Sequence, residues 1–199
     1  DLPSIFLLGS SHATNHYQNL KNIYKKKGFN ALYHLSNYKD FWNKKNFTDF
    51  IKSINKDDII IYAKSSKKLI ASKTYENQTL YEINNLKELV NKKGTKLYLI
   101  DDLPPTCDEI ERLTTFFKKP SGCSMDVKEA INKRMYYTKL IKRFVDNKNI
   151  IYLDPLPYLC DQEFCPSVHN NKSIYSDSSP HLSISNKLIL VNFFIENLK

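Results

Sequence analysis

The clearest indication of the architecture is the segment Ser4-Ile5-Phe6-Leu7-Leu8-Gly9-Ser10-Ser11-His12-Ala13. Its apolar run predicts a strand buried on both faces, because a strand with one solvated face would alternate apolar and polar side chains. Gly9 predicts a tight turn after that strand. Apolar residues at helical spacing then continue to Gly28, a residue type common at helix C-termini: Tyr17, Leu20, Ile23 and Tyr24. The stretch therefore predicts a strand, a turn and a helix.

The same alternation of strand and helix patterns continues along the chain. Further strands are predicted over residues 31–35, 59–63, 96–100 and 149–153, and further helices around residues 46–54, 80–90, 127–145 and 185–197. Strands that alternate with helices pair in parallel through right-handed crossovers. We therefore predict an α/β fold, a three-layer α/β/α sandwich with a mostly parallel five-stranded sheet of the flavodoxin-like type. Ligands of such sheets bind at the carboxyl ends of the strands.

Length and composition predict one globular domain, residues 1–199. Of the 199 residues, 41% are hydrophobic, 26% are charged and only 4 are glycine, which excludes collagen-like and disordered chains. The longest apolar stretch, Leu188 to Ile195, is interrupted by Asn192 and is too short to span a bilayer. We expect a soluble chain. Because no secretory signal precedes Asp1, it is either a mature product or a segment of something longer.

The formal charge of +9 would suit a polyanionic partner. The basic residues are scattered, however, with only short clusters such as Lys25-Lys26-Lys27, and no aromatic residues are interleaved with a basic stripe. Nucleic acid is therefore not predicted as a partner.

Four cysteines, Cys107, Cys123, Cys160 and Cys165, form two closer pairs along the chain. Two disulfides are the favoured interpretation, and of the three connectivities the local one joins Cys107 to Cys123 and Cys160 to Cys165. Four reduced thiols in a cytosolic protein remain the alternative. No C-x-x-C pair is present, so the spacing does not indicate a zinc site, and no metal is predicted.

The turn after the first strand carries a candidate nucleophile. A serine at a sharp strand-to-helix turn displays its hydroxyl at the sheet edge, beside backbone N–H groups that can stabilise an oxyanion. Ser11 occupies such a position. The competing interpretation is a helix N-cap, a common role of serine.

A second candidate segment lies just before the last predicted helix, where Asp177 precedes His181 by four residues. An aspartate close to a histidine can fix the imidazole tautomer, so that the other ring nitrogen acts as a base toward a serine hydroxyl. The two segments together predict a Ser-His-Asp arrangement.

These segments resemble the SGNH/GDSL hydrolase-like domains, in particular those fused to or partnered with integral-membrane acyltransferases that O-acetylate cell-surface polysaccharides. Those domains open with a strand and Gly-Asp-Ser-His and close with Tyr-x-Asp, a short gap and His-Leu-Ser. The matching residues here are Gly9, Ser11-His12-Ala13, Tyr175, Asp177 and His181-Leu182-Ser183, and the pair Cys160 and Cys165 also resembles the family.

The resemblance implies an O-acyltransferase that acts on a cell-surface polysaccharide such as lipopolysaccharide and works without a cofactor. Ser11 would be the nucleophile, His181 the base and Asp177 the residue that orients it. The acyl group would be acetyl, delivered by a membrane acyltransferase domain, and the domain would lie outside the cytoplasm, in the periplasm or at the cell surface, tethered by a segment absent here. One alternative is a carbohydrate or acyl esterase with the same residues, and another is a decayed site that binds glycan or a partner domain.

The chain departs from the family pattern in three places. Ser10 replaces the aspartate before the nucleophile, and the gap from Asp177 to His181 is one residue longer, with Ser178 at the expected position. If Asp177 does not reach, His181 would work in a Ser-His dyad. The family's glycine and Gly-x-Asn-Asp oxyanion blocks have no counterpart, so we assign the oxyanion hole to backbone groups of Ser11 and of the loop Ala63-Lys64-Ser65.

Other polar residues receive ordinary roles. His12 is predicted to be a structural hydrogen-bonding residue, and His16, His34 and His169 are predicted to have no special function. Asp101 and Asp102 follow the fourth strand on the ligand-facing edge, where a solvated turn is the favoured interpretation.

Overall fold

The computed structural model describes residues 2–35, 38–105, 123–170, 172–176 and 180–198. Its centre is a five-stranded sheet in the order β2-β1-β3-β4-β6, and every neighbouring pair is parallel. The strands are β1 Ser4–Gly9, β2 Ala31–His34, β3 Ile59–Ala63, β4 Lys96–Ile100 and β6 Ile150–Leu153. The predicted parallel sheet is confirmed.

Helices cover both faces of the sheet. They are α1 Ser11–Ile23, α2 Tyr38–Phe41, α3 Lys44–Ser53, α4 Ser66–Ala71, α5 Lys73–Lys93, α6 Val127–Lys142, α7 Leu156–Leu159 and α8 Val191–Asn197. Alternate residues of β1 enter different cores: Ile5 and Leu7 pack on the side of α1 and α8, and Phe6 and Leu8 on the side of α3, α5 and α6. The predicted three-layer sandwich is therefore confirmed, and it explains why β1 is apolar throughout.

One predicted helix begins where expected, and another is interrupted. α6 begins at Val127, and Asp126 caps it by accepting from the N–H groups of Lys128 and Glu129. The helix predicted over residues 185–197 is divided into a 3₁₀ helix, Ile184–Asn186, and α8. The N–H of Leu190 donates to the side chain of Asn19 at 3.0 Å, so a side chain replaces the helical partner at the break.

Two short antiparallel pairs that the sequence did not reveal flank the sheet. β5, Ser124–Asp126, pairs with β7, Phe164–Pro166, and β8, Val168–His169, pairs with β9, Lys172–Ser173. The Cys160–Cys165 disulfide joins the residue that follows α7 to the middle of β7. Cys123 is also disulfide-bonded, while Cys107, its predicted partner, lies outside the described residues. The reduced-thiol alternative does not hold for the three described cysteines.

The helices within the described ranges include none that is both long and apolar enough to cross a bilayer.

Candidate active site

The ends of β1, β3 and β4 meet at one edge of the sheet. The register pairs Gly9 with Ala63 and Ala63 with Ile100, so the three turns that follow are neighbours. This edge is the carboxyl end of the parallel sheet, where ligands of such folds bind.

Gly9 allows the first two of these turns to touch. Its φ is +140°, and a Cβ added there would lie 1.9 Å from the carbonyl oxygen of Ala63. The next residue donates a hydrogen bond from its N–H to that same oxygen, over 3.1 Å between Ser10 and Ala63. Only glycine permits this approach, which brings the start of α1 against the end of β3.

The two serines after Gly9 have separate roles. Ser10 is the N-cap of α1, and its side chain accepts from the N–H of His12 at 3.3 Å. Ser11 is the first residue of the helix and is exposed. The capping role therefore belongs to Ser10, which leaves the hydroxyl of Ser11 available for chemistry.

The structure brings the predicted nucleophile and the predicted base together. The Oγ of Ser11 lies 2.9 Å from the Nε2 of His181, although 170 residues separate them in the chain. This distance allows transfer of the serine proton to the imidazole. Asp177, predicted to orient His181, lies outside the described residues.

Asn15, which the sequence analysis missed, holds the main chain on both sides of His181. Its Nδ2 donates to the carbonyl of Pro180 at 3.2 Å, and its Oδ1 accepts from the N–H of Leu182 at 3.0 Å. The carbonyl of His181 itself accepts from the N–H of Ser176 at 2.7 Å. Asn15 is one helical turn after Ser11, so the same helix positions both members of the Ser-His pair.

The prediction that Asp101 and Asp102 form a solvated turn is wrong, because the two residues are only 1% and 3% exposed. Asp101 accepts from the hydroxyls of Thr138 and Tyr152, each at 2.6 Å. Burial raises the pKa of Asp101 despite the nearby Arg134. Buried carboxylates of this kind need partners, and hydroxyls of α6 and β6 supply them here.

Asp102 binds the residue that follows the nucleophile. Its Oδ1 lies 2.6 Å from the Nδ1 of His12, and its Oδ2 accepts from the N–H and the hydroxyl of Ser66 at 2.6 and 2.7 Å. Burial by itself would raise the pKa of Asp102, but the charge of His12 and these hydrogen bonds hold that pKa below its usual value. His12 is thus a buried hydrogen-bonding residue, in the structural role predicted for it.

The loop assigned to the oxyanion hole adjoins Ser11 through the Ser10–Ala63 bond. The Ala63 carbonyl is occupied by that bond. The Lys64 side chain is buried, with its Nζ 2.7 Å from Glu82, and burial lowers the pKa of Lys64 and raises that of Glu82. Ser65 is the residue before α4. The side chain of Lys64 therefore anchors the loop in the core, where Lys64 and Ser65 are buried.

Two of the remaining histidines pack against aromatic rings, and the third is exposed. His16 is buried against the ring of Phe194, His34 stacks on Tyr17, and His169 is exposed in β8. Over the part of the chain that the structure describes, no group of three or more His, Cys, Asp or Glu side chains is arranged to hold a metal ion.

Comparison with known proteins identifies a matching family and several similar folds. A model of SGNH domains that are fused to AT3 domains matches residues 1–196. The periplasmic domain of a lipopolysaccharide acetyltransferase from Salmonella ser. Paratyphi A superposes with a TM-score of 0.63 at 15% identity, covering 98% of this chain and 83% of that one. A GDSL-like lipase from Bacteroides thetaiotaomicron gives a TM-score of 0.51 at 13% identity, covering 97% and 86%. At these identities the structural likeness shows the fold. No match was found among curated proteins.

Proposed function

The chain belongs to the family of SGNH domains fused to AT3 domains, and we propose that it is an O-acyltransferase domain that works through an acyl-enzyme on Ser11. The observation that carries the proposal is the 2.9 Å contact between the hydroxyl of Ser11 and the Nε2 of His181 at the carboxyl edge of the sheet. A decayed site would not need to keep an exposed serine hydroxyl within hydrogen-bond distance of an imidazole.

In the first half-reaction, the Oγ of Ser11 attacks the carbonyl carbon of the acyl donor while the Nε2 of His181 accepts the hydroxyl proton. The tetrahedral intermediate then collapses. The bond between the acyl carbon and the leaving group breaks, and His181 returns the proton to the leaving group. The product is an ester of Ser11.

In the second half-reaction, an acceptor hydroxyl attacks the Ser11 ester and gives its proton to His181. Collapse of this intermediate transfers the acyl group to the acceptor, and His181 returns the proton to Ser11. We propose acetyl as the acyl group and a cell-surface polysaccharide as the acceptor, supported by the acetyltransferase of similar fold.

Two further parts of the site belong to the proposal. Asp177 would accept from the second ring nitrogen of His181 and so fix its tautomer. The oxyanion would be bound by the N–H of Ser11, at the start of α1, together with backbone groups of the Ala63-Lys64-Ser65 loop; the pairing of Gly9 with Ala63 supports this assignment.

The chain would act as one SGNH domain, residues 1–199, of a longer membrane-attached protein. Its family occurs fused to AT3 domains, which supports delivery of the acyl donor by a membrane acyltransferase domain. The Cys160–Cys165 disulfide supports a location outside the cytoplasm, because disulfides persist in oxidising compartments.

Esterase activity with the same residues is the second candidate. Ser11 is exposed, so water can reach its ester as readily as a sugar hydroxyl can. Hydrolysis of p-nitrophenyl acetate, measured with and without a saccharide acceptor, separates the two candidates: acceptor-dependent release of acetylated saccharide indicates the transferase.

Ser11→Ala tests both candidates. We expect it to abolish labelling by a serine-directed fluorophosphonate and to lower p-nitrophenyl acetate turnover by at least about 10³-fold, because the nucleophile is lost. Ser53→Ala, which removes an exposed hydroxyl of α3, is the matched control and should label like the wild type. Wild-type protein that does not label, or Ser11→Ala protein that still turns over substrate, contradicts the proposal.

A further inference from the structure

We infer that Asp102 is a positioning residue that fixes, through His12 and Ser66, the two turns between which the acyl carbonyl would react. The inference rests on the proposed function. It concerns a carboxylate that touches neither Ser11 nor His181 and has no part in the proton transfers described above.

Hydrogen bonds saturate the carboxylate of Asp102. Its Oδ1 accepts from the Nδ1 of His12 at 2.6 Å and from the N–H of Leu103 at 2.9 Å, while its Oδ2 accepts both the N–H and the hydroxyl of Ser66. An ionised carboxylate can only accept, so the proton of this contact lies on the Nδ1 of His12. Asp102 thereby determines the tautomer and the orientation of the His12 ring.

The His12 ring connects this carboxylate to the base. His12 follows Ser11 directly in the first turn of α1, and its ring centroid lies 5.1 Å from that of His181 at an interplanar angle of 59°. Asp102 holds the His12 ring in place, and this ring packs beside the His181 imidazole, which accepts the proton of Ser11 in the proposed reaction. Rotation of the His12 side chain would remove this contact with His181.

Ser66 connects the same carboxylate to the predicted oxyanion loop. Ser66 is the first residue of α4 and directly follows Ala63-Lys64-Ser65. One oxygen of Asp102 therefore fixes the end of this loop, and the other fixes the turn that carries Ser11. Asp102 therefore links the turn that carries the nucleophile to the end of the loop proposed to bind the oxyanion.

Asp102 is itself held rigidly. Its carbonyl accepts from the Nη1 of Arg134 at 3.0 Å, and the Arg134 guanidinium makes a two-point contact with Asp154 at 2.8 and 2.9 Å. Because a misplacement of about 1 Å can cost 10²-fold in rate, such a support has a measurable kinetic effect.

The test compares two substitutions of His12. His12→Phe keeps a ring beside His181 but removes the donor to Asp102, whereas His12→Asn keeps a donor near the position of Nδ1. We expect His12→Phe to lower kcat for p-nitrophenyl acetate and the rate of fluorophosphonate labelling by roughly 10²-fold with little change in KM. His12→Asn restores the donor but not the ring, so it should recover part of that loss.

Two other variants complete the design. Ser66→Ala removes one donor to Asp102 and leaves His12 intact, and it should lower the labelling rate by about tenfold; it also serves if His12→Phe does not fold. Thr95→Val, which removes a buried hydrogen bond to the carbonyl of Asp58 at the opposite edge of the sheet, controls for lost stability and should label at the wild-type rate.

The outcomes are distinct. Folded His12→Phe and Ser66→Ala proteins that label as fast as Thr95→Val overturn the positioning role of Asp102. A greater loss in His12→Asn than in His12→Phe overturns it as well, because the ring would then matter and the donor to Asp102 would not. A wild-type protein that does not label overturns the proposed function, and this inference with it.

Discussion

Asn15 shows how one side chain of α1 can determine the position of the base. The amide bridges the carbonyl of Pro180 and the N–H of Leu182, which flank His181 in the chain. A carboxylate has no donor for the Pro180 carbonyl, and an aliphatic side chain has neither partner to offer. The amide of Asn15 satisfies the Pro180 carbonyl and the Leu182 N–H together.

Asn15→Asp tests this role of the amide at nearly constant shape. The variant loses the donor to Pro180 and places a charge beside its carbonyl oxygen, so we expect kcat to fall on the order of 10-fold to 10²-fold and the free energy of unfolding to fall by about 1–3 kcal/mol. Turnover of p-nitrophenyl acetate and urea denaturation give the two numbers. Asn22→Asp, at an exposed site of α1, is the control and should change neither.

Residues of this kind could not be predicted from the sequence. Ser11 and His181 stand in short motifs that can be identified from a single chain, but the partners of Asn15 are main-chain groups 165 and 167 residues away. Asp102 was assigned to a solvated turn because two adjacent aspartates before Pro104 look like one, and nothing local indicates that Ser66 and His12 surround the carboxylate.

At the scale of elements, the contact between β1 and β3 depends on Gly9. Its neighbour across the ladder is the Ala63 carbonyl, a backbone atom that cannot rotate out of the way. Gly28, by contrast, has a positive φ of +82° but no atom within 4 Å of an added Cβ. A substitution at Gly9 therefore causes a steric clash, whereas a substitution at Gly28 causes only backbone strain.

Gly9→Ala should destabilise the fold by more than about 3 kcal/mol or prevent folding, because β1 must move away from β3. Gly28→Ala carries only the strain of a left-handed residue and should cost about 1–2 kcal/mol. Urea denaturation of the two variants measures the difference. Equal losses would show that the close approach of the strands is not what requires Gly9.

The elements that were predicted well share a physical reason. Continuous apolar runs such as Ile59–Ala63 have few alternatives to a strand buried on both faces. The C-terminal helix was predicted too long because apolar spacing does not show that Asn19 binds the backbone at Leu190. β5 and β7, with three residues each, are too short for periodicity to reveal.

In the whole molecule, α1 contacts both the candidate active site and the segment that begins α8. Its buried polar side chains include His12, which faces Asp102, and Asn19, which binds the start of α8. Between them His16 packs edge-on against Phe194, with 5.6 Å between the ring centroids. An ionisable group at this junction makes the stability of the entire fold depend on pH.

His16 should destabilise the molecule in acid. Burial, and secondarily the charge of His12, lowers its pKa to about 3, against about 6.5 in an unfolded chain. Below pH 6.5 the unfolded state therefore binds a proton that the folded state does not. The contribution of His16 to stability is complete above the unfolded pKa and declines as the pH falls toward 3, by at most about 1.4 kcal/mol per pH unit.

His16→Phe, which keeps an aromatic ring against Phe194 but cannot titrate, should remove this part of the pH dependence. The free energy of unfolding by urea, measured between about pH 7 and pH 4, should fall less steeply for the variant than for the wild type. His169→Asn, which replaces an exposed imidazole of β8, is the control and should keep the wild-type slope. Parallel curves for His16→Phe and the wild type would mean that His16 takes up its proton inside the folded molecule, and that the packing of α1 against α8 tolerates a charge.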